Sequence, residues 1–237
     1  IPLIGYEDSL IGVLQILNKI DGVFDEQDEY VGQALAAQAA VVLHRARITE
    51  QIIASERLGR EISVARDVQM GTLPKNMPII EGYEFGGAFA PTDQTGGDLY
   101  DFVPLADQKL FLLMGDASGH GIGPALSATQ VRAMLRVALR LESSLDDAFM
   151  HINDQLCDDL PDDRFVTAFF GLLDGKTHAI RFHSGGQGPI MHYQAEMGEY
   201  EWHPATTFPL GYMPHSSLDP PKKALLDPGD VFGLISD

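Results

Sequence analysis

Cysteine is almost missing from this chain. Cys157 is the only one in 237 residues, so no internal disulfide can form, which suits a reducing, cytoplasmic setting. Tryptophan also occurs once, as Trp202. No apolar run approaches the roughly 18 residues a membrane-spanning helix needs, and no secretory signal pattern opens the chain, so no membrane insertion is expected in this segment. Basic residues are scarce: 16 Lys and Arg stand against 34 Asp and Glu, a net charge of −18. Nucleic-acid binding depends on basic surface and is excluded on that ground. An anionic phosphosubstrate would be hard to hold on such a chain without metal cations. The chain does not open with methionine, and Ile1-Pro2-Leu3 reads as domain interior, so the expectation is an excised piece of a longer protein.

What is present is ample apolar material, 45% of residues, enough for a substantial core. Acidic charge is uneven, with eight carboxylates and no Lys or Arg between Glu142 and Asp163. That stretch reads as a solvated face or as a docking surface for a basic partner. The apolar run Leu10 to Leu17, followed by Asn18-Lys19, predicts a strand and a turn. Asp25, with Asp28 three residues on, predicts a helix N-cap. From about Glu26 to Gly71, Leu35, Ala39, Val42, Ala46, Thr49 and Ile53 step by three and four, and so do Leu58, Ile62, Ala65, Gln69 and Leu73. A helix that long exceeds what one small domain buries, which points to a linker paired with another chain; two helices kinked near Ser55 are the alternative. Pro74 and Pro78 end it.

Beyond Tyr83 the texture is that of strands, with two helices among them. Pro124 is placed at a first helical position, and Ala125, Leu126, Ala128, Val131, Leu135 and Leu139 form an apolar face. Ser144 and Asp147 suggest a cap for the next helix, whose face is Leu145, Ala148, Phe149, Ile152 and Leu156. Strands are predicted at 111–114, 165–173, 179–183, 189–193 and 231–235. Two segments carry the chemistry: Gly96-Gly97-Asp98-Leu99-Tyr100-Asp101, and Gly115-Asp116-Ala117-Ser118-Gly119-His120-Gly121. Each sets a carboxylate beside glycines at the edge of an apolar run, with Asp116 expected just past its strand. Val231 to Ile235 runs likewise into Ser236-Asp237. Aspartates beside glycine are common in turns, but three at strand ends suit a hard cation such as Mg²⁺ or Mn²⁺. The histidines at 44, 151, 178, 183, 192, 203 and 215 show no ligand spacing and read as surface or strand residues, and Trp202 reads as packing.

These segments, together with Phe165-Val166-Thr167-Ala168, Ser184-Gly185-Gly186-Gln187-Gly188-Pro189, Phe208-Pro209-Leu210-Gly211 and Ile235-Ser236-Asp237, follow in the order of a known family. Residues 83–237 resemble the PPM-type metal-dependent serine/threonine phosphatases of the bacterial sporulation and stress-response branch. The lead-in Ala65-Arg66-Asp67-Val68-Gln69, then Leu73-Pro74, is similar too. Residues 1–45 resemble the end of a GAF sensor domain, through Ile11-Gly12-Val13-Leu14-Gln15, Asn18-Lys19, Phe24-x-x-x-Asp28 and Ala36-Ala37-Gln38-Ala39-Ala40. The division implied is 1–45 for the C-terminal part of a GAF-like domain, 46–78 for a coiled-coil-like linker and 79–237 for a C-terminally incomplete phosphatase domain.

The resemblance implies an α+β fold, two antiparallel sheets sandwiched by helices. It implies two Mn²⁺ or Mg²⁺ ions and hydrolysis of phosphoserine or phosphothreonine by a metal-activated water, with no protein nucleophile. Asp98 and Asp116 would be metal ligands, Asp116 bridging both ions, with the Ala117 carbonyl and Asp237 completing the shell and His120 assisting. The implied partners are a phosphorylated STAS-type anti-sigma-factor antagonist and a second copy of the chain, paired through the linker and regulated by the upstream sensor. The helices over 124–160 would be the switch. Two features depart from the family: Gln187 replaces its usual histidine, and the last acidic pair of the family falls beyond Asp237. They favour an alternative, a catalytically weak or inactive scaffold of the same fold that binds a phosphoprotein. Gly96 to Tyr100 also superficially resembles a diguanylate-cyclase signature, but Leu99 stands where a second acid is expected.

Overall fold

The computed structural model describes residues 1–90 and 95–236, and the side chain of Glu7 is not described. Contacts divide the chain into two compact units, 1–61 and 62–237. In the first, β1 (Pro2–Ile4) and β2 (Leu10–Val13) form an antiparallel hairpin around a 3-10 turn at Tyr6–Asp8. The strand predicted to reach Leu17 stops at Val13. Leu3, Ala36 and Ala40 form the small core here, with Ile1, Ile11, Leu14 and Ala39 against it. Helix α1 (Glu26–Thr72) opens on the expected cap. Asp25 Oδ1 accepts from the backbone N–H groups of Gln27 and Asp28, both at 3.0 Å, and Asp28 Oδ2 accepts from Asp25 N at 3.0 Å. The helix runs unbroken through Gly32, Ser55 and Gly59, so the two-helix alternative does not hold. Leu35, Val42, Ile53 and Leu58 of its predicted apolar stripe are exposed.

The second unit is built on two antiparallel sheets. The larger has the order β3-β4-β5-β6-β9, from β3 (Asp98–Leu105), β4 (Lys109–Ala117), β5 (Val166–Asp174), β6 (Ala179–Gly185) and β9 (Lys222–Leu225). The smaller has the order β10-β7-β8, from β7 (Ile190–Gln194), β8 (Glu199–His203) and β10 (Val231–Leu234). Alternation along β3 to β6 gives the larger sheet two apolar faces. One packs on the smaller sheet, with Leu110, Phe169, Ile180 and Phe182 meeting Ile190 and Phe232. The other carries α2 (Ile122–Arg140) and α3 (Leu145–Asp159), where Phe111 and Phe170 meet Val131, Leu135, Phe149 and Leu156. Each large apolar side chain fully buried in these layers contributes about 1.5–3 kcal/mol.

Local signals fixed these helices with small differences. Pro124 is the third residue of α2, not the first, still in the turn whose N–H groups have no intrahelical acceptor. Leu126 of the predicted face is exposed, while Ala125, Ala128, Val131 and Leu135 are buried. Ser144 caps α3 by accepting from Asp147 N at 3.1 Å, and all five predicted face residues are buried. Trp202 does not pack: it is 56% exposed on the outer face of β8, because its neighbours Glu201 and His203 take the inner one.

Helix α2 is tied to β3 by charge as well as packing. Asp101 is completely buried between them. Arg136 donates from Nε to Asp101 Oδ2 at 2.6 Å and from Nη2 to Oδ1 at 2.8 Å, and Arg132 Nε stands 2.9 Å from Oδ2. Asp101 holds the Arg136 guanidinium still more firmly protonated than usual. Removing the carboxylate charge leaves two arginines without their counter-ion, partly relieved because Arg136 reaches solvent. Asp101→Asn is therefore expected to destabilise the fold by about 2 kcal/mol, read as a lower urea midpoint.

Candidate active site

Asp98 opens β3, and Asp116 is the last residue but one of β4. The strand predicted to end at Met114 continues because its ladder with β5 continues, pairing Asp116 with Thr167 and Ala117 with Val166. In the β3–β4 ladder Asp98 stands directly opposite Asp116. Opposite residues share a face with Cβ atoms about 5 Å apart. Strand alternation puts both residues on the inter-sheet side, the face of Tyr100, Phe102, Leu112 and Met114.

Glycine makes the approach possible. Gly97 is buried, and its carbonyl oxygen accepts from Ala117 N at 3.0 Å. A Cβ at Gly97 would collide with the Ala117 carbonyl oxygen and with Asp116 Oδ1. That pocket of space is bounded by the oxygens expected to bind metal. From below, Gln69 of α1 clamps the same loop: Nε2 donates to Gly96 O at 2.6 Å, and Oε1 accepts from Gly96 N at 3.3 Å.

A second set of contacts closes the site. Thr167 Oγ1 lies 3.2 Å from Asp116 O and 3.0 Å from Gln187 Oε1. Gln187, 3% exposed, donates from Nε2 to Ile235 O at 3.2 Å. It thus joins β5 to the segment that leaves β10. Asp237 lies outside the described residues, but Ser236 lines a cleft of about 410 Å³ together with Asp98, Tyr100, Phe102 and Phe232. Leu210 exchanges backbone hydrogen bonds with Val166 at 2.8 and 2.9 Å, which docks the Phe208 to Gly211 segment on the start of β5. His120 is exposed between Gly119 and Gly121, both with positive φ. Its loop is anchored at Ser118, whose N–H donates to Phe165 O at 2.9 Å and whose Oγ accepts from Phe165 N at 3.0 Å.

Two aspartates paired across the ladder, with the Ala117 carbonyl near Asp116 Oδ1, offer an oxygen-only donor set of the kind hard divalent cations select. The residues fit Mg²⁺ or Mn²⁺. Sequence reasoning missed a second convergence. His192, Glu201 and His203 bring ligand atoms within 4.8 Å of one another across β7 and β8. The spacing between residues 192 and 203 hides it, since only the hairpin register brings them together.

The sequence profile of the stage II sporulation protein E (SpoIIE) family matches residues 106–237, more than half of the chain. The chain belongs to the SpoIIE family. Protein IcfG of Synechocystis is 25% identical over 200 residues, covering 72% of this chain and 31% of IcfG. Phosphoserine phosphatase RsbU of Bacillus subtilis is 23% identical over 185 residues, covering 77% of this chain and 54% of RsbU. The chain thus spans about a third to a half of the length of these curated relatives. Among solved structures, the SiaA-PP2C domain of Pseudomonas aeruginosa superposes with a TM-score of 0.63 at 20% identity, over 76% of this chain and 71% of that one. The SpoIIE PP2C phosphatase domain of Bacillus subtilis, with a fragment of its regulatory domain, gives 0.51 at 19% identity, over 57% and 40%. The fold of this SpoIIE-family chain is that of PP2C phosphatase domains.

Two outcomes are expected from the local geometry. Gly97→Ala drives a methyl group into the Ala117 carbonyl oxygen and Asp116 Oδ1, so a neighbour must shift and the urea midpoint should fall while far-ultraviolet circular dichroism stays native. Burial, with Asp154 and Asp158 nearby, pushes the Cys157 thiol above its usual range. Its thiolate fraction at pH 8 is thereby reduced, and iodoacetamide should modify Cys157 more slowly than free glutathione until the chain is unfolded.

Proposed function

We propose that this chain is a metal-dependent protein phosphatase acting on phosphoserine or phosphothreonine. The observation that carries the reading is the Asp98–Asp116 pair, set face to face by strand register with the Ala117 carbonyl beside it. Asp98, Asp116, Ala117 and Asp237 would hold Mn²⁺ or Mg²⁺. Such cations, when bound, lower the pKa of water and neutralise phosphate oxygens. The chain's own residues position and confine. Gln69 and Gly97 fix the loop that carries Asp98, and Thr167 with Gln187 fixes the backbone at Asp116 and at Ile235. His120, exposed on an anchored loop, would assist the reaction. Gln187 cannot exchange a proton readily, so its role is the hydrogen-bonded bridge.

The substrate would be a phosphorylated STAS-type regulatory protein. Support comes from the stage II sporulation protein E family match and from the phosphoserine phosphatase RsbU among the relatives. Residues 1–45 would be the end of a GAF-like sensor domain, 46–78 a coiled-coil-like linker, and 79–237 the phosphatase domain. Exposed Val41, Val42, Ile48, Ile52 and Ile53 on α1 favour homodimerisation through that helix. Sensor control would reach the site along the last turns of α1, where Gln69 grips Gly96, and through α2, which starts just after the Asp116 loop. The second reading, a scaffold of the same fold, is favoured by Gln187 in place of histidine.

The test is Mn²⁺-dependent phosphate release from a phosphoserine STAS-type protein, by this chain and by a form extended past Asp237. Release that falls by three orders of magnitude or more in Asp116→Asn is the expected result. A folded, metal-loaded extended form that binds the phosphoprotein without releasing phosphate would establish the scaffold instead.

A further inference from the structure

Strand β8 is one of the two outer strands of the smaller sheet, and its inner face carries an unexpected set of groups. His192 stands opposite Glu201 in the β7–β8 ladder, and His203 opposite Ile190, so all three side chains share the face of the fully buried Ile190. The two imidazoles stack with centroids 6.2 Å apart, against Phe182 and Phe232. Ligand atoms of His192, Glu201 and His203 lie within 4.8 Å of one another. His192 is 3% exposed, and its Nε2 meets Asp230 Oδ2 at 2.9 Å. Asp230 is itself held by the N–H groups of Ala195 at 2.9 Å and Asp227 at 3.0 Å. A carboxylate behind a histidine fixes ring and tautomer, as it does behind metal-binding histidines. The side chain of His203 is 10% exposed, and its Nε2 is buried with no hydrogen-bond partner among the described residues. Its Nδ1 is 3.5 Å from Glu201 Oε1, too long for a strong hydrogen bond. A buried nitrogen without a partner is destabilising.

We propose that His192, Glu201 and His203 form a zinc site, with water as fourth ligand and Asp230 as the supporting carboxylate. Two imidazoles and one carboxylate are a donor set for zinc rather than for Mg²⁺, which takes oxygen. Glu201, half exposed, is the entry path, and the ion would clamp the outer strand β8 to β7. The site is separate in residues and donor type from the Asp98–Asp116 pair.

The test uses the whole chain, stripped with chelator and titrated with Zn²⁺ under excess Mg²⁺, with Co²⁺ as a spectroscopic probe. One equivalent of Zn²⁺ should bind and raise the melting temperature, and Co²⁺ should give the visible absorption of a four-coordinate nitrogen-ligated site. His203→Asn should abolish both effects and Glu201→Gln should weaken binding about tenfold or more, while Asp116→Asn retains them. Should His203→Asn fail to fold, Glu201→Gln, on the exposed rim, decides. Absence of Zn²⁺ binding under excess Mg²⁺, binding indifferent to Glu201→Gln, or binding lost in Asp116→Asn would overturn the proposal.

Discussion

The antiparallel register of β3 on β4 is the constraint on which the rest depends, because it alone sets Asp98 opposite Asp116. A slip of one residue would turn every side chain of one strand to the other face and separate the carboxylates. The register is held from both sides. Leu99, Phe111 and Leu113 are buried toward α2 and α3, and Phe102, Leu112 and Met114 face the smaller sheet. Asp101 adds a third restraint, since only one register carries it to Arg132 and Arg136. The two cores and one buried ion cluster thus hold the two aspartates in register.

Around that pair, a few polar bridges connect elements that lie far apart in sequence. Gln69 reaches Gly96, Thr167 and Gln187 link β5 with the exit of β10, and Asn153 of α3 accepts from Gly211 N at 3.1 Å. These contacts end on backbone groups next to the site rather than on the carboxylates. They therefore act on the backbone that positions Asp98 and Asp116. The same logic explains Gln187: an amide can serve two strands at once, as acceptor from one and donor to the other.

Helix α1 shows where local and tertiary forces diverge. Its cap, composition and lack of proline specify a continuous helix, and it is continuous. Yet the apolar residues along its middle find no cover within the first unit. A helix can be set by propensity and capping alone, but burial of its face needs a surface to meet it.

From sequence alone, the order of motifs identified the family resemblance, and capping and periodicity located α2 and α3, because these signals act over a few neighbouring residues. The strands rich in Val, Ile, Leu and Phe were legible for the same reason. Strands β1, β3, β8 and β9 were not predicted; of these, Glu199-Tyr200-Glu201-Trp202-His203 and Lys222-Lys223-Ala224-Leu225 are polar edge strands whose partners, not their own residues, make them strands. Asp98 and Asp116 could be named as candidates, since glycine flanks them, but their opposition is a property of pairing. His192 and His203 had no ligand spacing in the sequence, and only the β7–β8 register joined them to Glu201. The sequence determined which residues could carry chemistry; strand pairing, which acts through space, decided which of them meet.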